Sequence, residues 1–91
     1  MDYVYVLISQ VDGKLYIGYT PDLKSRVKKH NSGYVIATRN RRPLKLIYYE
    51  AYINRIDAKK REYFLKGGKG HNQLKVQLEN SYHQIRYKHR Y

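Results

Sequence analysis

Residues 3–8, Tyr-Val-Tyr-Val-Leu-Ile, are followed by Asp12-Gly13 and then by residues 15–20, Leu-Tyr-Ile-Gly-Tyr-Thr. The first run is uninterruptedly apolar and rich in β-branched and aromatic residues, which predicts a central strand covered on both faces. Asp-Gly between two such runs is the strongest short hairpin signal, since both residues tolerate the positive φ of a tight turn. Whether the turn takes two residues or four, the numbers of paired residues sum to an odd value. Tyr5 and Tyr16 then project from the same face, with Gly18 opposite Leu7 or Tyr5 and space beside them. Two phenols over a gap are most often a stacked pair; they can equally flank a phosphate or an attacking water.

Outward from the hairpin, Thr20-Pro21-Asp22 reads as N-cap, first helical residue and first-turn acid. The helix runs to about Asn31, and Gly33 can stop it. Residues 32–43 form a basic loop ending at Pro43, and Leu44 to Tyr52 a third strand. Asn54 caps a second helix, with Asp57 as a capping-box variant, and Gly67-Gly68 ends it. Residues 71–79 suit a short third helix. The organisation is one domain over residues 1–79 and a basic C-terminal tail over 80–91, polar and weakly periodic, open either to fraying or to ordering on a partner. The order β-β-α-β-α-α makes an α+β fold, a small, mainly antiparallel sheet with helices packed on it.

Composition limits what such a domain does. With 91 residues there is no room for a second core, and with no Cys there is neither a disulfide framework nor a zinc-thiolate site. The longest apolar run is six residues, too short to span a bilayer, so the expectation is a soluble, cytoplasmic protein. Nineteen Lys+Arg against seven Asp+Glu leave a formal charge of +12, and self-repulsion of that size calls for an anionic partner. Nucleic acid is the leading candidate, ahead of an acidic membrane. The charge is clustered: from Lys24 to Lys45 there are eight basic residues and no acid. Lys24, Lys28, Lys29, Arg39, Arg41, Arg42 and Lys45 are the nucleic-acid-binding candidates. Twelve of the thirteen aromatics are Tyr, a residue that packs, stacks on bases and donates to phosphates.

On the first helix Leu23, Val27 and His30 share a face, with Arg26 at its edge. Arg26 alone would snorkel and His30 alone would be a satisfied core histidine. Together, behind a tyrosine hairpin, they look more like an anion site. Of the seven carboxylates, Glu50 reads as facing solvent at an edge and Glu62 lies beside the Ala58–Leu65 stripe. Glu62 suits an intrahelical ion pair with Arg55, Lys59 or Lys66, and equally a hard divalent cation shared with waters and a phosphate. No cluster of acids exists for a two-metal site, so one metal is the most this chain can hold.

The ordered set Tyr3-Val4-Tyr5, Tyr16-Ile17-Gly18-Tyr19-Thr20-Pro21-Asp22-Leu23, Arg26, His30-Asn31-Ser32-Gly33, Tyr48-Tyr49-Glu50 and Arg61-Glu62 resembles the GIY-YIG nuclease domain, in particular its short stand-alone bacterial members related to the nuclease domain of excinuclease ABC. The likeness runs to about Leu78. It implies a three-stranded antiparallel sheet flanked by helices and a DNA endonuclease using one Mg²⁺ or Mn²⁺, with RNA left open. It also implies roles: Tyr5 as general base or orienter of the attacking water, Tyr16 holding that water or the phosphate, Arg26 stabilising phosphate charge, His30 assisting proton movement, and Glu62 as metal ligand. Asn72 is a weaker candidate for a downstream polar contact. Two departures stand out: Tyr3 replaces the name-giving glycine, and Tyr19 stands where the excinuclease relatives have a lysine near the base, which shifts weight onto His30. No DNA-binding module follows, so backbone or shape recognition of branched, nicked or damaged DNA is expected over sequence readout. A non-catalytic binding module, or a nuclease subunit relying on a protein partner for targeting, is the alternative. Oligomeric state is not legible.

Overall fold

The computed structural model describes residues 1–89. Three strands, β1 (Asp2–Ser9), β2 (Leu15–Thr20) and β3 (Leu44–Tyr52), form an antiparallel sheet in the order β2-β1-β3. Helix α1 (Leu23–Asn31) joins β2 to β3; α2 (Arg55–Lys66), α3 (Gly68–Gln77) and α4 (Glu79–His89) follow. The class is α+β, as the residue pattern implies.

The hairpin closes through four turn residues, with Ser9 N–H donating to the Lys14 carbonyl at 3.0 Å. That register places Tyr5 opposite Gly18 and Leu7 opposite Tyr16, so the two tyrosines do share a face. From Tyr3 to Ile8 β1 is apolar because both its faces are covered. Tyr5 and Leu7 pack with Leu44, Leu23 and Val27 beneath α1. On the other side, Val4 and Val6 pack with Ile17, Ala58, Leu65, Leu74 and Leu78 beneath α2 and α3. A register shift between Val6 and Leu7 interrupts the β1–β3 ladder.

Helix boundaries depart from the sequence reading in two places. Thr20 ends β2 and Asp22 is the N-cap of α1, its carboxylate accepting from the Ser25 amide; a carboxylate two residues further on is the better-placed acceptor. The third helix starts at Gly68, directly after Gly67 ends α2. Asn54 caps α2 as expected, its side chain accepting from the Ile56 amide. At Gly70 the backbones of α2 and α3 meet so closely that a Cβ would stand 2.0 Å from the Phe64 carbonyl oxygen, which makes glycine a geometric requirement of that junction.

Residues 79–89, weakly periodic in sequence, are helical as α4, and its Tyr82 hydroxyl donates to the Gly13 carbonyl at 3.1 Å. Residues 90 and 91 of the expected tail lie outside the described residues. Asn31 joins the end of α1 to the start of β3 by donating to the Leu44 carbonyl and accepting from the Leu44 amide, both at 2.8 Å. This pair of bonds fixes the loop of residues 32–43 at its two ends and holds α1 over Tyr5. No helix among the described residues is long and apolar enough to cross a membrane.

Candidate active site

The site is built on the edge strand β2. Because position 18 has no side chain, the Tyr5 ring lies directly over it: a Cβ there would sit 2.4 Å from both Cζ and Oη of Tyr5. The space beside Gly18 is therefore filled by the Tyr5 ring itself rather than left as a gap between two phenols. Tyr16 stands next to it at 6.4 Å between ring centroids, tilted by 38°.

Two polar side chains of α1 meet the Tyr5 hydroxyl, and a third, from the loop, stands behind one of them. Tyr5 Oη is 2.8 Å from His30 Nε2, and His30 Nδ1 is 2.7 Å from Thr38 Oγ1, with all three residues buried. Arg26, half-buried, donates from Nε to Tyr5 Oη at 3.4 Å. The His30 ring packs edge-on against both tyrosines, 5.0 Å from Tyr16 and 5.6 Å from Tyr5 between centroids. Helical spacing explains the pairing of Arg26 and His30, which are one turn apart on α1.

These contacts determine where the protons are. A guanidinium only donates, so the Tyr5 oxygen accepts from Arg26. Among the described residues the acceptor bonded to the Tyr5 hydroxyl is His30 Nε2. The ring proton of a neutral His30 must then sit on Nδ1 and be donated to Thr38 Oγ1. Burial, reinforced by the Arg26 charge, lowers the His30 pKa to about 4, so the imidazole is neutral at pH 7. A protonated His30 is thus not a source of positive charge for Tyr5 in the free protein; Arg26 is. Burial raises the Tyr5 pKa, against the lowering effect of the Arg26 hydrogen bond, and the phenol is protonated at rest. Arg26 itself is held charged by its hydrogen bond to Tyr5.

Glu62 lies on α2, which packs on the other face of the sheet from Arg26 and His30. α2 packs on β1 and β2, and the charge of Glu62 contributes to raising both Tyr5 and Tyr19. Its carboxylate, 13% exposed, pairs with Lys66 at 3.0 Å and Lys59 at 3.5 Å, which realises the intrahelical pairing that the spacing allowed. Neighbouring Arg61 points elsewhere, pairing with Glu50 at 2.9 Å. Glu50 does not face solvent at an edge: it accepts from Arg61, Tyr48 and Tyr52 on the α2 side of the sheet, a clamp between β3 and α2. Burial disfavours its charge, yet these donors hold its pKa below the usual value.

Of the basic candidates, Lys24, Lys28, Lys29, Arg39, Arg42 and Lys45 are exposed. Arg41 is engaged internally, bonding Asp12 at 2.9 Å and the Lys14 carbonyl at 3.1 Å; that ion pair pulls the Asp12 pKa to about 2. Asn72 is exposed on α3. Thr38 is the site residue that sequence reasoning missed. Its one signal is position, in the loop that begins two residues after His30.

The family model of the GIY-YIG catalytic domain matches residues 1–75. The chain belongs to the GIY-YIG family. Among its relatives, a UPF0213 protein of Clostridium perfringens is 45% identical over 67 residues, spanning 72% of this chain and 71% of that protein. A UPF0213 protein of Pediococcus acidilactici is 43% identical over 81 residues, spanning 86% and 82%. The solution NMR structure of a UPF0213 protein from Bacillus halodurans superposes with a TM-score of 0.52 at 39% identity, covering 86% of this chain and 85% of that one. The GIY-YIG domain is a nuclease domain acting on DNA, which supports nuclease activity here.

The buried imidazole makes a stability prediction. An unfolded His30 titrates near 6.5 and the folded one at about 4, so between those values the unfolded chain binds the extra proton. Stability should therefore fall as pH drops from 6.5 to 4, by up to about 3 kcal/mol. Urea melts at pH 7, 5.5 and 4.5 would measure it. A His30→Gln variant should show a flatter profile over that window, and an equally steep one would assign the dependence to other groups.

Proposed function

We propose that this GIY-YIG protein is an endonuclease that hydrolyses DNA phosphodiester bonds between Tyr5, Tyr16, Arg26, His30 and Glu62, selecting branched, nicked or damaged structures by backbone shape. The hydrogen-bonded line Arg26–Tyr5–His30–Thr38 carries this reading. A core histidine needs a partner, but it does not need a guanidinium aimed at the same phenol.

The line has the polarity of a proton path. A water beside Tyr5 gives one proton to Tyr5 Oη while the phenol's own proton moves to His30 Nε2. The water oxygen bonds to phosphorus, the bond from phosphorus to the leaving sugar oxygen breaks, and that oxygen takes a proton from solvent water. His30 is a weak acceptor in the free protein because burial and Arg26 disfavour its cation. Substrate phosphate brings negative charge to the same place, which favours the imidazolium and the guanidinium together. Thr38 keeps Nε2 free to accept by taking the Nδ1 proton in a hydrogen bond.

Among the described residues no three His, Cys, Asp or Glu side chains are grouped to hold a metal. One hard-oxygen donor is nonetheless what Mg²⁺ or Mn²⁺ takes when waters and substrate phosphate fill the remaining positions. Glu62 fits that description, and its two lysine partners are about half exposed and able to swing away. Such an ion, when bound, would act as Lewis acid on the phosphate.

The test uses supercoiled plasmid and labelled flap and junction DNA, with Mg²⁺, Mn²⁺ or EDTA. We expect metal-dependent cleavage that Glu62→Ala abolishes and Arg26→Lys lowers about a hundredfold or more, since an ammonium cannot pair with two phosphate oxygens in one plane. Binding by both variants should persist. Salt-sensitive binding by the wild-type chain without cleavage under any metal would make it a binding module instead.

A further inference from the structure

Helix α2 turns Ala58 and Leu65 into the core and leaves Ile56 69% and Tyr63 84% exposed on its outer side. An amphipathic helix that only covers a sheet carries polar residues there. Beside these two lie Arg55, Lys59 and Lys60, and the five residues line one shallow, open groove of about 550 Å³. Lys60 forms no ion pair among the described residues. Lys59 links the groove to Glu62: its ammonium is 4.7 Å from the centre of the Tyr19 ring and 3.5 Å from the Glu62 carboxylate. Arg55 lies over the same ring at 5.8 Å.

We infer that this α2 groove holds the nucleic-acid strand on the Glu62 side of the scissile phosphate, with Arg55, Lys59 and Lys60 on successive phosphates and Tyr63 and Ile56 against a base or sugar. The inference rests on the phosphodiester reading above and extends it to a second contact surface outside residues 24–45. Placement favours it. α1 and α2 cover opposite faces of the sheet; α2 packs on β2, and the His30 ring of α1 meets Tyr16 of β2, so a phosphate between Arg26 and Glu62 has a cationic helix on either side. Composition favours it as well: α2 carries five Lys and Arg against two acids, one of which is Glu62 itself. Mixed cations and exposed aromatic carbon are what a strand of alternating phosphates and bases requires, whereas a purely solubilising face would need no Tyr63.

The experiment measures fluorescence anisotropy of a labelled flap DNA, which offers both single- and double-stranded arms, in Ca²⁺ from 50 to 300 mM KCl. The full-length wild type is compared with Arg55→Ala/Lys60→Ala, Tyr63→Ala and Tyr63→Phe. All three positions are exposed, and circular dichroism melts verify that the fold is kept. Removing two phosphate contacts should reduce the slope of log Kd against log salt by about two and weaken binding roughly tenfold near 100 mM KCl. Tyr63→Ala should weaken binding about fivefold or more at unchanged slope, with Tyr63→Phe close to wild type. If the wild type binds and cleaves while the variants keep its affinity and slope, the groove is overturned and the nuclease reading stands. If the wild type binds no DNA at any salt, both fall. Vesicles with 30% phosphatidylserine provide the remaining arm: binding to them that the variants lose, with DNA affinity intact, would overturn the proposal in favour of a membrane surface.

Discussion

Tyr5→Phe should lower the single-turnover cleavage rate about a thousandfold while leaving DNA affinity within roughly threefold. The substitution removes one oxygen and keeps the ring that fills the space over Gly18, so packing under α1 is retained. What disappears is the acceptor for Arg26 and the donor to His30 Nε2, both contacts of the same oxygen. His30 Nε2 would be left buried without a partner, which should reduce stability by about 1–2 kcal/mol. Equal losses of rate and affinity would reduce Tyr5 to a binding or packing residue. The neighbouring loop gives a graded control. Thr38→Ser keeps the acceptor for the Nδ1 proton and should retain most activity. Thr38→Val removes it, so the rate should fall and nitrogen chemical shifts of His30 should show a redistributed tautomer. A valine variant with normal rate and normal shifts would assign Thr38 to packing alone.

Gly18→Ala is expected to damage both stability and activity. The position is an ordinary strand residue, since positive φ occurs only at Gly13 and Gly33 among the described glycines, so the backbone accepts alanine there. The difficulty is the contact, 2.4 Å from Cζ and Oη of a Tyr5 ring that is 1% exposed and has nowhere to move. Relief requires the ring to leave His30 and Arg26 or the hairpin to open against α2. Overpacking of this kind destabilises by about 1–3 kcal/mol, a fall in Tm of roughly 5–20 °C for a domain of this size. Cleavage should fall toward the Tyr5→Phe level even at temperatures where the variant is folded. A stable, active Gly18→Ala protein would show that Tyr5 does not occupy the space over that glycine.

The hairpin and its consequences were readable from residues 3–20 because strand faces alternate with a period of two and a turn fixes the register. Tyr5, Tyr16 and the absent side chain at Gly18 follow from that arithmetic alone. Arg26 and His30 were readable for the same reason, a helical period placing both toward the sheet. Less was readable where a partner lies in another segment. Glu50 alternates along β3 with two tyrosines, and nothing in β3 says that Arg61 of α2 will meet it. Arg41 belongs to a run of loop cations, yet only the folded loop brings it to Asp12 of the hairpin turn.

What the chain of residues decided unaided is therefore the local part: three strands, the faces they present, the inward side of α1, the caps at Asn54 and Gly67, and an excess of positive charge that calls for an anionic partner. Tertiary structure decided which of several available partners each charged group takes, that Thr38 closes the line behind His30, and that the buried imidazole is neutral. The reason is physical. Periodicity is a property of neighbouring residues and is written along the chain, whereas ion pairing and protonation depend on distance and burial, which exist only once segments far apart in sequence have been packed together.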